Sequence, residues 1–558
     1  SGLLQVSAAV KAAPSRPSKK RSAPSVPTAP ARQSRRLRGE RVESSRFVHE
    51  EKGGRFEFGR EGAGADDTVG DEDDNLSEKA EPKHYANRIH DETPISLAQA
   101  VENVGEKWLP SSDSQNEDEE GSSVALQNAE RLSEAISKWD STSVQSPSNN
   151  RRRSPSIVKE GGLDPAVQKR VQRLAIDTSG TSHGESNEKL VPDRIYSMAF
   201  HPSSDQILVG AGDKQGYVGL WNASSSSKDK VHRFRVHAAC VNSLEWTPRG
   251  DALLSTSYDG TCRLWNVEQQ QFEQVFAAYG KESQYAQQPG AGILSGDYGN
   301  NGKDVVWFQS ATWDHRRPEH AFFVSTSVGS VLHVDIRSRN RLTWQESLSD
   351  RKINSVSLHP NGYSFLSSGL DCCVKLWDLR KFETANQKKS KQGTLKPLAT
   401  FHGKKSINSA YFSPVAGQHV VATTMDDSLD VLQDFHLTTT PPPIVTTTTA
   451  SKKKSRSTKV QNDASIQVVQ RFPHNNCTGR WLSTFMAPWH PTVDHLFAVG
   501  SMDQPRNLHV YSTQQQEVAV PGLSAVASRL CFHPSAHEII LAGGNSSGRV
   551  TLIRESKD

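Results

Sequence analysis

Methionine is nearly absent, with four residues in 558, and cysteine is sparse, with six. Cys240, Cys262, Cys372, Cys373, Cys477 and Cys531 show no Cys-x-x-Cys spacing and no paired His motif, which argues against a zinc site or a disulfide-built scaffold. In strands they read as small buried residues suited to a reducing compartment. No apolar run approaches the ~18 residues of a membrane helix and no signal-like apolar stretch is visible, so the chain reads as soluble, not secreted, with no membrane partner. Hydrophobic residues make up only 34% of the chain and aromatics 7%, low for a chain folded throughout.

The deficit is uneven. Residues 1–190 are rich in Ser, Pro, Arg, Glu and Asp with scattered aromatics, and such a segment cannot bury enough apolar surface to offset its ordering entropy. It reads as a disordered arm, dispensable for folding. The net charge of +4 hides a segregation inside it. Two basic clusters, Lys19-Lys20-Arg21 and Arg35-Arg36-Leu37-Arg38, face acidic blocks at Asp71-Glu72-Asp73-Asp74 and Glu117–Glu120. A basic arm beside acidic blocks suits a nuclear or nucleic-acid-associated tail with the clusters as import signals; a solvated linker has the same composition.

From about residue 191 the texture changes to short apolar runs punctuated by Gly, Asp, Asn and Pro, and it repeats. Arg194-Ile195-Tyr196-Ser197-Met198-Ala199-Phe200-His201-Pro202 matches Lys352-Ile353-Asn354-Ser355-Val356-Ser357-Leu358-His359-Pro360 position by position. Related copies end at Thr247-Pro248, Ser413-Pro414, His490-Pro491 and His533-Pro534. Each is an alternating strand closed by a turn, followed by an apolar-small run, an Asp or Gly turn and a strand ending near Trp, as at Trp221, Trp265 and Trp377. A period of roughly 40–45 residues with four short strands per unit is a propeller signature. Seven units, near 191–222, 233–267, 304–337, 351–380, 401–435, 479–513 and 524–554, make residues 191–558 an all-β, seven-bladed β-propeller of WD40 type behind the arm. Residues 273–303 and 436–478, the second holding Thr and Pro runs and Lys452-Lys453-Lys454-Ser455-Arg456, read as insertions forming surface loops.

Catalytic constellations are missing from this reading. Gly210-Ala211-Gly212-Asp213-Lys214-Gln215-Gly216 has the wrong spacing for a phosphate loop and lies between strands where a helix should follow. The His-Pro pairs recur once per blade, which marks structural turns. The chain therefore reads as a binding protein without cofactor or metal.

Three segments are not generic blade sequence: Thr478-Gly479-Arg480-Trp481-Leu482 with Trp489-His490-Pro491, Gly500-Ser501-Met502-Asp503-Gln504-Pro505-Arg506, and Asp193-Arg194-Ile195-Tyr196 with its partner strand. They resemble the family of WD repeat-containing protein 76 and its fungal damage-binding relatives, and more distantly DNA damage-binding protein 2. The resemblance implies a nuclear WD40 protein that binds DNA, with a preference for UV-damaged duplex, in genome maintenance. Some members of the family are substrate receptors of cullin-RING ubiquitin ligases. The Arg-Pro-Arg often found after Gly-Ser-Met is here Gln504-Pro505-Arg506, and no aromatic lesion-wedging hairpin is found, so DNA binding is better supported than lesion recognition.

The positions of the cations agree independently. Residues just before each inner strand lie on one rim of a propeller, and Arg194, Arg351, Lys352, Lys404, Lys405 and Arg480 stand there, with Lys214 and Arg506 in nearby turns. A ring of fixed cations is a phosphate-backbone site, although surface Lys and Arg also simply keep loops soluble. Trp481 is placed either to stack on an exposed base or in the core. On the opposite rim, Trp377-Asp378-Leu379-Arg380 resembles the WD-x-R box of ligase receptors, with Asp335-Ile336-Arg337 a looser copy. There Asp and Arg either meet an adaptor or brace their own blade. The competing function is a chromatin- or peptide-binding scaffold without direct DNA recognition.

Overall fold

The structure is a computed structural model and describes residues 94–104, 119–139, 163–177, 187–225, 230–278, 306–338, 341–387, 395–433, 466–534 and 538–556. Seven antiparallel sheets succeed one another along the chain, giving the seven-bladed propeller. Blade 1 has strands Ile195–Phe200, Leu208–Asp213, Tyr217–Asn222 and Val231–Arg235. Blade 2 has Val241–Trp246, Ala252–Ser257, Thr261–Asn266 and Gln271–Ala277, and blade 3 has Phe308–Trp313, Ala321–Thr326, Ser330–Asp335 and Leu342–Ser347. Blade 4 has Ile353–Leu358, Ser364–Gly369, Cys373–Asp378 and Ala399–His402, and blade 5 has Ile407–Phe412, Val420–Thr424, Ser428–Gln433 and Gln467–Pro473. Blade 6 keeps three strands, Leu496–Gly500, Asn507–Ser512 and Gln516–Pro521; its inner place is taken by an irregular segment that touches the sheet through a Trp489–Phe497 bridge. Blade 7 has Arg529–Phe532, Ile540–Gly544 and Arg549–Glu555.

The first strands carry the joints between blades. In blades 1 to 5 the pairing slips after Ile195, Val241, Phe308, Ile353 and Ile407, leaving Tyr196, Asn242, Gln309, Asn354 and Asn408 as bulges. A bulged residue turns out of its own ladder, and two of these reach the next blade. Asn242 Nδ2 donates to Phe308 O at 2.7 Å, and Asn354 Nδ2 donates to Ile407 O at 2.8 Å. Second strands are buried along their whole length in blades 1 to 5, which is why they read as apolar-small runs.

The ring is closed by residues that precede blade 1. Leu174–Ile176 pairs with residues 553–555 and Asn187–Lys189 with residues 549–551, so both pieces lie on the outer edge of Arg549–Glu555. The stretch 1–190 therefore does not read uniformly as an arm. Ile95–Ser96 adds to the edge of blade 2, and helix Leu97–Glu102 follows behind a Ser96–Gln99 capping box. Helix Glu119–Lys138 buries Ala129, Leu132 and Ile136 in the same cluster as Phe234, Trp246 and Trp265. Helix Pro165–Gln172, capped by Asp164, buries Val171 beside Val510 and Leu541. Composition missed these because a few apolar residues at helical spacing make a buried face without raising the average. Both insertions are also shorter than their sequence limits: residues 273–277 belong to the outer strand of blade 2, and 467–473 form that of blade 5. The clusters Lys19, Lys20, Arg21, Arg35, Arg36 and Arg38 lie outside the described residues, as does 452–456.

Histidines lock the turns at the ends of the first strands. His201 Nδ1 accepts from Ser203 N at 3.1 Å, so its proton sits on Nε2, which donates to Gly250 O of the next blade at 3.0 Å. Gly250 has φ +74°, and a Cβ there would lie 2.2 Å from that nitrogen. Burial pushes the His201, His359, His490 and His533 imidazoles down to about 4. Unfolding returns each to its ordinary value near ~6.5, so between pH 4 and 6.5 the unfolded chain binds about four more protons at these sites. Burial raises Asp213 to about 6 and Glu245 to about 8, and these two oppose the trend because the native state holds their protons. The balance is about two protons taken up on unfolding, and stability falls with acid by roughly 2–3 kcal/mol per pH unit between pH 6 and 5. Thermal melts from pH 7.5 to 4.5 check this, and a melting temperature that stays flat to pH 5 contradicts it.

Candidate nucleic-acid interface

Antiparallel order brings the start of every first strand to the same end of its blade as the turn between the second and third strands. Hydrogen bonds record the adjacency: Lys214 N donates to Arg194 O, Leu370 N to Lys352 O and Met425 N to Ser406 O, at 3.0, 3.0 and 2.9 Å. Arg194 and Lys214 of blade 1, Arg351 and Lys352 of blade 4, and Lys404 and Lys405 ahead of blade 5 thus share one end. Arg480, Trp481 and Arg506 join them. The segment following Gln467–Pro473 is tied to the corresponding turn of blade 5, where His474 N donates to Asp427 O and Asn476 N to Asp427 Oδ1, both at 3.0 Å.

Exposure divides the set. Lys214, Arg351, Lys404, Lys405 and Arg480 are exposed. Arg506 is part-buried and braces its own loop, its Nη1 donating to Met502 O at 2.8 Å. Arg194 lies over the Tyr196 ring, 5.9 Å from its centre. Lys352 is half-buried and turned inward, where burial and the nearby Arg529 guanidinium pull its amine down to about 8; it is not the loop-tip cation its position suggested. Acids share this end. Asp371 is engaged by Lys375 at 2.7 Å and Asp213 accepts three backbone N–H groups, while Asp427 and Asp503 are exposed among the cations.

Trp481 is 81% exposed, the most open of the large hydrophobics among the described residues, so the core alternative for it falls. It follows Gly479, whose φ of +65° is open to glycine and strained for other residues, and Arg480. That turn holds a cation and an indole side by side, the ring largely open among the described residues.

The third-strand ends carry Asp335, Arg337, Asp378 and Arg380 at the opposite end. Arg380 grips Asp378 with two hydrogen bonds, Nε–Oδ1 2.9 Å and Nη2–Oδ2 2.8 Å, while lying over the Tyr363 ring. Asp335 is buried and ion-paired with Arg317 and Arg337 at 3.4 and 3.5 Å. Trp377 is 3% exposed and donates to Ser367 Oγ at 2.9 Å, so its indole is blade core and not a contact surface. At both places the Asp and Arg of the motif pair with one another.

Arg529 was missed by sequence reasoning, although a signal existed. Four residues before the turn residues His201, Thr247, Asp314, His359 and Ser413 stand Ser197, Ser243, Ser310, Ser355 and Ser409; four before His533 stands Arg529. A buried guanidinium thus replaces a repeated serine.

Seven blades of this construction define a WD-repeat propeller. A family model described as "WD domain, G-beta repeat" matches residues 228–266 and 341–378, each running from the outer strand of one blade through the first three strands of the next, blades 2 and 4. These blades keep the Asp of the second turn engaged, His237 Nδ1 to Asp259 Oδ2 at 3.0 Å in one and Ser349 Oγ to Asp371 Oδ2 at 3.0 Å in the other. The chain is homologous to WD repeat-containing protein 76 of Xenopus laevis, at 29% identity over 67% of this chain and 55% of that protein. The mouse protein of the same name is 31% identical over 65% of this chain and 50% of its own length. DNA damage-binding protein CMR1 of Chaetomium globosum is 26% identical over 65% of each. The chain spans about half the length of the first two relatives.

Proposed function

We propose that this propeller is a nuclear DNA-binding protein of the DNA damage response, and that the rim bearing the first-strand starts receives the duplex. The observation that carries the reading is Arg480 beside the bare Trp481, in the company of Lys214, Arg351, Lys404 and Lys405. Cations on a rigid rim hold phosphates irrespective of sequence, and an open indole offers a stacking face to a base that has left its pair. A damaged duplex supplies such bases more readily than an intact one. The names of the fungal relatives point the same way. The test is a gel-shift of the full chain on UV-treated and untreated duplex at several salt concentrations. A steep fall of affinity with salt and tighter binding to the treated duplex support the proposal; a shallow slope supports a peptide- or chromatin-binding scaffold instead.

Association with a cullin-RING ligase adaptor is a further part of the proposal, assigned to the opposite end. Arg380→Ala removes the exposed guanidinium over Tyr363 and is expected to abolish adaptor capture while leaving DNA affinity unchanged. It also frees Asp378, so a melting temperature lowered together with both activities would identify the residue as a blade brace only.

A further inference from the structure

Arg529 lies at the start of the first strand of blade 7 and is 6% exposed. Among the described residues its guanidinium makes one long contact, Nη2 to Thr484 Oγ1 at 3.4 Å, while Nε and Nη1 have no hydrogen-bond partner. A buried cation left this way costs far more than a surface one, and folded proteins rarely leave it so. Its surroundings come from the whole ring. The charge of Arg529 is felt by Tyr196 of blade 1, Cys240 and Tyr258 of blade 2, Lys352 of blade 4 and Tyr411 of blade 5. Tyr258 donates to Gln309 of blade 3 and Tyr411 to Met486 in the inner segment of blade 6, both at 3.3 Å. First strands line the axis of a propeller, and Arg529 and Lys352 stand at the starts of two of them, in blades 7 and 4, with the charge of one acting on the other.

Among the described residues no carboxylate forms an ion pair with either cation. The nearby carboxyls are otherwise occupied. Glu245 is buried against Trp313 N at 3.2 Å and held protonated by that burial, and Asp213 is spent on backbone N–H groups. Arg194 sits at the same mouth with its Nη1 on Tyr196 Oη at 3.4 Å, which leaves the Tyr196 proton free to donate. The site thus offers fixed donors and positive charge with no counter-ion among the described residues.

We propose that the mouth of the central channel is a binding pocket for one phosphate-type oxyanion, held by the Arg529 guanidinium and the Lys352 ammonium with the Tyr196 hydroxyl as a third donor. A guanidinium matches two oxygens of a tetrahedral oxyanion at once, an ammonium supplies a point charge, and recession from water strengthens both. The pocket is separate from the exposed rim cations and stands whether or not these bind a duplex.

The experiment is thermal melting of the full chain in inorganic phosphate, with chloride and acetate at matched ionic strength. Wild type is expected to gain several degrees, increasing with the logarithm of phosphate concentration. Arg529→Met removes the uncompensated charge at similar volume and is expected to melt higher than wild type without phosphate and to lose the phosphate response. Lys352→Met is expected to keep its fold and show a response reduced by more than half. No phosphate response beyond that of chloride, an equal response to acetate, or an undiminished response in Arg529→Met overturns the proposal. A comparison of 5′-phosphorylated and 5′-hydroxyl oligonucleotides then separates sources. Tighter binding of the phosphorylated strand that is lost in Arg529→Met assigns the pocket to a DNA end, and equal binding assigns it to free phosphate.

Discussion

A chain starting at residue 191 is expected to lose cooperative folding, or to melt far below one starting at residue 163. The shorter chain lacks Leu174–Ile176 and Asn187–Lys189, the two pieces that complete blade 7. It also loses Val171, Leu174 and Leu190, all at most 5% exposed, and the Arg170–Glu555 ion pair at 2.6 Å. Burying three such side chains contributes roughly 5 kcal/mol or more, comparable with the whole net stability of many domains. The open strand Arg549–Glu555 would then present an unpaired edge, an invitation to aggregation. Circular dichroism melts and light scattering of the two chains measure the difference. Adding a peptide of residues 163–190 in trans should restore much of the lost stability, and equal melting of the two chains would remove the closing role from these strands.

The second large effect concerns Trp481 and Arg480. Trp481→Ala is expected to weaken binding to unpaired or UV-treated DNA about 5- to 150-fold, the range for loss of one base–aromatic stack, with a smaller effect on intact duplex. Arg480→Ala should weaken binding to all DNA alike and lower the magnitude of the salt slope by roughly one unit. Neither should alter stability by more than the ~0.5 kcal/mol typical of surface positions, since both side chains are open to water. Affinities at three or more salt concentrations separate the two roles. Should Trp481→Ala bind treated and intact duplex as wild type does, the indole has no part in recognition. Lys352 is excluded from this series, because its inward position makes its loss a test of the channel and not of the rim.

Much of this architecture could be read in advance because a propeller writes its packing repeatedly. Each first strand must end in a tight turn, so His-Pro and Thr-Pro recur at fixed distance from an Asp or Gly turn and a Trp. The rim cations were legible for the same reason, since a residue before a first strand can only lie at one end. Other features leave no repeating mark. The helices packed on blades 1, 2, 6 and 7 each contribute only a few buried side chains, such as Leu132 and Val171, within polar sequence. The exposure of Trp481 depends on blade 6 replacing a regular first strand with an irregular segment, which the repeat does not announce. The burial of Trp377 was legible and was overridden by its neighbours: Asp378 and Arg380 make a conspicuous pair, but an indole at the end of a third strand belongs to the core in this repeat. Arg529 escaped because it is a departure from the pattern, and a search for similarity passes over what differs.

Ring closure sets a timetable for synthesis. Leu174–Ile176 leaves the ribosome about 380 residues before its partners at 553–555, which at ~5–20 residues per second is a wait of roughly 20–75 s. Through that interval the early blades can form while the closing strand has nothing to pair with. Arg549–Glu555 therefore completes a strand made long before it, and a ribosome stalled between the two holds a propeller whose ring is still open.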